Sequence, residues 1–64
     1  MNNMYIFEAH YTNMDNGEEI TRKIEFSEQL FENEQECYMY AMGRAYSMKQ
    51  ENECLGSVEF IACW

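Results

Sequence analysis

The side chains most able to do chemistry in this chain are three cysteines and one histidine: Cys37, Cys54, Cys63 and His10. In number they suffice for a zinc ion, which proteins hold with thiolates and imidazoles. Structural zinc sites usually contain two ligands only about two to four residues apart, and Cys54 and Cys63, the closest pair here, are farther apart than that. We therefore expect no metal and no cofactor. Cys37 is predicted to be a small core residue and Cys63 to be half-buried.

Nucleophilic catalysis would need a cysteine or serine beside a base that a third group orients. His10 can meet Cys63 only across the uncovered face of a sheet, which is not concave, and 64 residues leave little material to build a cleft. Carboxylates that are close in the sequence are explained more simply as solvated charges of a turn and of a helix start. The chain has no glycine-rich phosphate loop. We predict that it is not an enzyme and has no catalytic residues.

An acidic cluster is the first candidate surface for binding a partner. Five carboxylates lie within twelve residues: Glu25, Glu28, Glu32, Glu34 and Glu36. One interpretation is a patch that keeps the protein soluble. The other is an electrostatic dock for a basic surface, with carboxylates in the place of nucleic-acid phosphates. The sequence leaves both open, because the spacing of charges in space is not visible in it.

The outer face of the predicted helix is the second candidate surface. Its members are Met39, Tyr40, Arg44 and Tyr46. Tyrosine and methionine are enriched in interface cores, which favours a binding role with Tyr40 and Tyr46 as anchors. Alternatively, each tyrosine lies along its own helix with its hydroxyl in water.

Charge and composition exclude several classes of protein. A formal charge of −8 and a pI near 4.3 oppose direct binding to nucleic acid or to an anionic membrane, because such binding depends on Lys and Arg. A basic protein, or a second copy of the chain, is the expected partner. Ten aromatic residues and no proline indicate a folded domain. Three cysteines and the lack of a secretory signal predict a reducing cytoplasm, and no apolar run is long enough for a membrane span.

The first part of the chain predicts a β-hairpin. Alternating apolar residues indicate strands at about 4–12 and 18–26, joined at Asn16-Gly17, a strong hairpin signal. A two-residue loop would give three cross-strand pairs: Ala9 with Ile24, Phe7 with Phe26, and Tyr11 with Arg22. A four-residue loop keeps the same faces together, whereas a three-residue loop mixes apolar with polar side chains.

The second part predicts a helix and a third strand. Asn33 followed by Glu36 has the spacing of a capping box, so a helix should run from about 34 to 51, with Gly43 inside it where something packs nearby. Its apolar stripe contains Cys37, Ala41, Ala45 and Met48, widened by Tyr38 and Met42. A third strand is expected at about 55–64. Its predicted helix face carries Val58, Phe60, Ala62 and Trp64, and its other face carries Ser57, Glu59, Ile61 and Cys63.

These elements predict an α+β fold, a single ββαβ domain over residues 1–64. Its three-stranded antiparallel sheet has the order 2-1-3, with the helix packed on one face. The uncovered face then carries four apolar residues: Met4, Ile6, Ile61 and Cys63. This is more apolar surface than the solvated face of a sheet usually shows. A domain of this size also buries only roughly 60% of the surface that its unfolded chain exposes. A homodimer through this face is therefore one expectation, and scattered surface residues without a role are the other.

Three hypotheses of function follow. The first is a non-catalytic acidic binding module or inhibitor that docks on a basic protein, with nucleic-acid-binding proteins as one candidate class of target. In size and charge, though in no motif, the chain looks like the small acidic inhibitors that phages and other mobile elements use against restriction or CRISPR enzymes. The second is a structural domain that forms a homodimer. The third is an enzyme or metal site around His10 and Cys63.

Overall fold

The computed structural model describes residues 3–28 and 33–63. It contains strand β1 (Asn3–Asn13), strand β2 (Glu19–Glu28), helix α1 (Glu34–Ser47) and strand β3 (Glu53–Cys63). β1 lies between β2 and β3 and pairs antiparallel with both, so the sheet order is β2-β1-β3. The helix packs on one face of the sheet. The predicted ββαβ domain and its strand order are confirmed.

The hairpin between β1 and β2 has a four-residue loop. The N–H of Asn13 donates to the carbonyl of Glu18 at 2.8 Å, which leaves residues 14–17 in the loop. Gly17 has a φ of 76°, the left-handed conformation that glycine adopts without strain. The side chains of Asn13 and Asn16 each accept a backbone N–H two residues ahead. These local hydrogen bonds stabilise a wider turn than Asn16-Gly17 alone would form.

The pairing of β1 with β2 therefore differs by two positions from that of a two-residue loop. The observed pairs are Phe7 with Ile24, Ala9 with Arg22, Tyr11 with Ile20, and Tyr5 with Phe26. The predicted pairs of Ala9 with Ile24, Phe7 with Phe26, and Tyr11 with Arg22 are wrong, and the four-residue alternative is right. A shift by two residues leaves every side chain on its face. The apolar pattern alone therefore does not distinguish the two loops.

Helix α1 begins where the sequence predicts and ends earlier. Its N-cap is Asn33, whose side chain accepts the N–H of Glu36 at 2.8 Å. The expected continuation to about residue 51 is not observed, since Ser47 is the last helical residue. The N–H of Gln50 donates to the carboxylate of Glu53 at 2.8 Å instead of to a helical carbonyl. Glu53 thereby turns the chain into β3, which starts two residues before the expected position.

A β-bulge in β3 changes which of its side chains face the helix. Phe60 lies opposite Phe7, and Cys63 lies opposite Tyr5, so Ile61 is an extra residue relative to β1. One extra residue reverses the alternation of a strand. Cys63 consequently lies on the helix side of the sheet together with Phe60.

Two predicted positions on the third strand are corrected by this bulge. Ala62 lies opposite Ile6 on the uncovered face, and Cys63 lies on the helix face, the reverse of the prediction. Val58 and Phe60 face the helix as predicted. Trp64 lies outside the described residues. Alternation was correct from Val58 to Phe60 and wrong at Ala62 and Cys63.

The core lies between α1 and the sheet. Ala41 and Ala45 have no exposed surface, which lets the helix backbone approach the strands. The hydroxyl of Tyr11 donates to the carbonyl of Ala45 at 2.5 Å. The other buried members of the core are Phe7, Ala9, Ile24, Phe26, Cys37 and Val58. Met42 and Met48 pack against them partly buried, which confirms the predicted helix stripe.

Gly43 should be replaceable by Ala with a gain of stability. Contrary to the expectation that something packs near it, a Cβ at this position meets no described atom within 4 Å. Alanine favours a helix interior over glycine by about 1 kcal/mol, so Gly43→Ala should raise the free energy of unfolding by that amount. Urea unfolding followed by circular dichroism measures it. Gly17→Ala, at a φ of 76°, should instead destabilise the protein, and a loss in Gly43→Ala would contradict the expected gain.

Candidate functional site

Six aromatic rings form a connected cluster at the end of the sheet where α1 begins: Tyr5, Phe7, Phe26, Tyr38, Tyr40 and Phe60. The ring centroid of Phe7 lies 5.7 Å from that of Phe26 and 5.4 Å from that of Phe60. Tyr38 meets Phe7 edge-on at 6.4 Å. Such pairs stabilise a fold by about 0.5–1.5 kcal/mol beyond the burial of their area. The cluster joins all three strands to the helix.

A groove of about 750 Å³ opens beside this cluster, between the first turn of α1 and strands β1 and β3. Its apolar lining consists of Tyr5, Phe7, Cys37, Tyr38, Phe60 and Cys63. Its polar rim consists of Asn33, Glu34 and Gln35. Phe60 is 56% exposed and Tyr38 43% exposed, although both contact Phe7. Exposed aromatic surface next to a polar rim is typical of surfaces that bind proteins. We call this region the aromatic groove.

The start of the helix brings one of the predicted acidic residues, Glu34, to the aromatic groove. Glu34 and Glu36 lie exposed in the first turn of α1, where negative charge is favourable because of the unpaired N–H groups of the helix end. Glu34 also lines the groove. The helix start at the Asn33 cap therefore positions the carboxylate of Glu34 at the rim of an apolar surface.

None of the other three predicted acidic residues is described at this rim. Glu25 lies on the sheet face away from the helix, opposite Ile6, and its carboxylate is 2.6 Å from the ammonium of Lys23. Glu28 is described only as the last residue of β2, and Glu32 lies outside the described residues. Of the cluster members whose side chains the structure describes, Glu25 therefore lies on one side of the sheet and Glu34 and Glu36 on the other.

The outer face of the helix is smaller than the sequence suggests. Met39 and Tyr46 are 64% and 68% exposed, and Arg44 is exposed in the last turn. Tyr40, however, packs against the sheet, with its ring centroid 4.6 Å from that of Phe26, and it is 40% exposed. Tyr40 therefore belongs to the flank of the helix and to the aromatic cluster, and its predicted place on the outer face is corrected.

The uncovered face of the sheet offers less apolar surface than predicted. Ile6 is only 7% exposed within the single chain, and Met4 is half-buried. Cys63 lies on the other face because of the bulge at Ile61. Ile61 itself is 48% exposed. Self-association through this face stays a prediction, with fewer residues to carry it.

The cysteines do not form the nucleophilic site that the third hypothesis proposes. Burial raises the pKa of the Cys37 thiol, with a smaller contribution from Cys63, so Cys37 stays protonated at neutral pH. Cys63 lies opposite Tyr5 on the helix side, whereas His10 lies farther along β1 and faces away from the helix. Their predicted approach across the uncovered face is wrong. Cys54 is free and exposed.

A partly buried ion pair under the far end of the helix was not foreseen from the sequence. Both oxygens of Glu53, a residue only 3% exposed, accept hydrogen bonds from Arg22 at 2.6 and 2.7 Å. The guanidinium also lies 4.6 Å from the centre of the Tyr11 ring. The hydrogen bonds from Arg22 lower the pKa of Glu53 from 4.5 to about 2. The two residues are 31 positions apart, so no local pattern predicts their contact.

Within the described part of the chain, no helix combines the length and the apolar character that crossing a membrane requires. Comparison with models of protein families, with curated proteins and with solved structures gave no match.

Proposed function

We propose that this protein is a small acidic binding module or inhibitor that docks on a basic protein and acts without catalysis. The observation that supports this most is the aromatic groove. Phe60 and Tyr38 offer exposed ring surface there, and Glu34 stands at its rim. Among the described residues that line the groove, none is Lys, Arg or His.

The overall charge supports a basic target. At −8 the chain attracts cationic surfaces over long range and repels nucleic acid, whose binding needs Lys and Arg. Complementary charge increases the rate of encounter and selects among partners, while the apolar contacts supply most of the affinity. Proteins that bind nucleic acid present basic surfaces that would attract this acidic chain. We therefore place the target among proteins that bind nucleic acid.

The groove favours a target segment that combines an apolar or aromatic side chain with neighbouring Lys or Arg. The apolar side chain would pack among Phe7, Tyr38 and Phe60, and the cations would lie near Glu34 and Glu36. Both groups of residues are held in place by the fold, through the aromatic contacts and the Asn33 cap. Little ordering of the binding surface is then needed on association. We place the protein in a reducing cytoplasm, in keeping with its free cysteines.

Substitution of Phe60 should separate binding from folding. Phe60→Ser removes exposed ring surface from the groove, so the affinity for a synthetic peptide with four arginines around one tryptophan should fall by about tenfold or more. Glu34→Gln should weaken binding at low salt and reduce its salt dependence. Fluorescence anisotropy of the labelled peptide at several salt concentrations measures both effects. Duplex DNA added as a competitor should bind the peptide and thereby release it from this protein.

Two further variants test the location of the interface. Glu51→Gln makes the same charge change as Glu34→Gln at an exposed turn outside the groove, and it should change the affinity much less. Tyr46→Ser removes an exposed ring from the outer face of the helix. A greater loss from Tyr46→Ser than from Phe60→Ser would place the interface there and contradict the groove. Binding that ignores both salt and Phe60→Ser would contradict the whole proposal.

A further inference from the structure

A second polar cluster lies on the uncovered face of the sheet, away from the aromatic groove. It consists of Glu8 and His10 on β1 and Glu59 on β3. One ligand atom from each of the three side chains lies within 4.8 Å of the others. Glu8 is directly opposite Glu59 in the antiparallel pair, and His10 follows Glu8 on the same face. The register of β3 brings these groups together.

The two carboxylates of this cluster leave a negative charge that the described neighbours do not neutralise. Like charges directly opposite each other on paired strands destabilise a sheet. Lys23 is the residue paired with Glu8 on β2, but its ammonium is 2.6 Å from the carboxylate of Glu25. A cation bound between Glu8 and Glu59 would remove their repulsion.

His10 presents an unsatisfied nitrogen to these carboxylates. Its Nε2 atom is shielded from solvent and has no hydrogen-bond partner among the described residues. The nearest carboxylate oxygen, on Glu59, is 3.6 Å away, which is too long for a hydrogen bond. On the other side of the ring, Nδ1 lies 3.3 Å from the hydroxyl of Thr21. In the tautomer that donates Nδ1–H to Thr21, the lone pair of Nε2 is directed to the side of the carboxylates, as in histidines that ligate metals.

The backbone around His10 is also irregular in a way that aims its side chain. Gly56 and Ser57 of β3 together oppose His10, which makes a second β-bulge in this strand. A Cβ on Gly56 would lie 3.1 Å from the carbonyl oxygen of His10, so the glycine permits the close approach of the two strands. Bulges re-aim side chains and are frequent next to functional sites.

From these observations we infer that Glu8, His10 and Glu59 form a binding site for a divalent transition-metal ion of the zinc class. One imidazole nitrogen and two carboxylate oxygens are a ligand set that zinc accepts, with water in the remaining position. Calcium and magnesium prefer oxygen ligands alone and would not use the imidazole. Zinc bonds of about 2.0–2.2 Å need ligand atoms closer together than 4.8 Å, and rotation of the two glutamate side chains supplies that approach.

Zinc alone is the probe that tests this site. Because His10 is the single histidine, its ring signals in a proton–nitrogen NMR spectrum are unambiguous. Titration of zinc chloride into the reduced protein should shift these signals saturably at about one ion per chain, in the pattern of Nε2 ligation. Magnesium should leave them unchanged. Ring signals that do not respond to millimolar zinc would overturn the inference, and so would zinc uptake by thiols that leaves the ring signals in place.

Calorimetric titration of variants assigns the ligands. Glu8→Gln, Glu59→Gln and His10→Gln should each weaken zinc binding by about tenfold or more, and Thr21→Val, which removes the partner of Nδ1, by roughly tenfold. Glu51→Gln makes the same charge change at a turn residue outside the cluster and should stay within about twofold of the natural chain. If Glu51→Gln and Glu8→Gln lost equal zinc affinity, the effect would come from net charge alone, and this would contradict the site. The backbone amide spectrum of each variant tests whether that variant is folded. If a variant is unfolded, the response of the His10 ring signals to zinc in the unaltered chain decides whether the site exists.

Discussion

Phe7→Ala should leave much of this protein unfolded at room temperature. Phe7 is 2% exposed, and its ring contacts those of Phe26, Tyr38 and Phe60. Truncation of a buried phenylalanine to alanine costs about 3–5 kcal/mol, since it removes apolar contacts and leaves a cavity. A domain of fewer than about 70–80 residues rarely gains more than about 3–5 kcal/mol from its core, so this loss removes most of the stability. Urea unfolding followed by far-ultraviolet circular dichroism measures the loss.

The matched control for Phe7→Ala is Phe60→Ala, in the same aromatic cluster. Phe60 is 56% exposed, so its removal leaves no closed cavity and should cost much less stability. If the two variants had similar urea midpoints, Phe7 would contribute no more to stability than Phe60, which would contradict its place at the centre of the cluster. The comparison also shows whether binding losses in Phe60 variants arise without unfolding.

Glu53→Gln should cause a second large loss of stability, one that depends on pH. The variant keeps the shape of the side chain but leaves the guanidinium of Arg22 without its carboxylate in a site where Glu53 is 3% exposed. Breaking a buried pair from one side is destabilising, because the remaining charge loses its partner, and water compensates Arg22 only in part since its side chain is 25% exposed. The pKa of Glu53 is lowered from 4.5 to about 2 by its hydrogen bonds with Arg22, so the pair stabilises the fold fully above pH 4.5. This contribution is lost as the pH falls from about 4.5 to about 2.

The measurement is the urea midpoint of both proteins at several pH values between 7 and 2. The natural chain should be much more stable than Glu53→Gln at pH 7, and the gap should close as the pH approaches 2. Glu51→Gln, an exposed neighbour with the same charge change, should show no such gap at pH 7. A gap that stays constant with pH would contradict a role for the charge of Glu53, because the natural chain loses that charge as the pH approaches 2.

Much of the fold was predictable because the signals that determine it are local. Alternation over β1 placed Phe7, Ala9 and Tyr11 together on the helix side, and all three are buried. Asn33 and Glu36 marked the start of the helix through a contact of three residues' span. The order 2-1-3 followed because the chain returns from the helix as a third strand that is antiparallel to β1 and can pair with it.

The candidate sites were predicted less well, because they combine residues that are distant along the chain. The aromatic groove joins Tyr5, Tyr38 and Phe60 from three elements, and the cluster of Glu8, His10 and Glu59 depends on the register of β3. One signal for the second cluster was visible in the sequence, namely Glu8 and His10 at alternate positions of a strand. Its third member became identifiable only when Glu59 was paired with Glu8.

The amino-acid sequence by itself determined the elements, the faces of β1 and β2, the helix start and the excess of negative charge. These follow from periodicity and composition, which each segment carries without its neighbours. The tertiary structure alone set the loop length, the two bulges of β3, the pairing of Arg22 with Glu53 and the division of the acidic residues between two faces. One extra residue hardly changes the apolar pattern of a strand, yet it moves Cys63 from one side of the sheet to the other. The proposed binding surfaces depend on such placements, because they are built from side chains that only packing brings together.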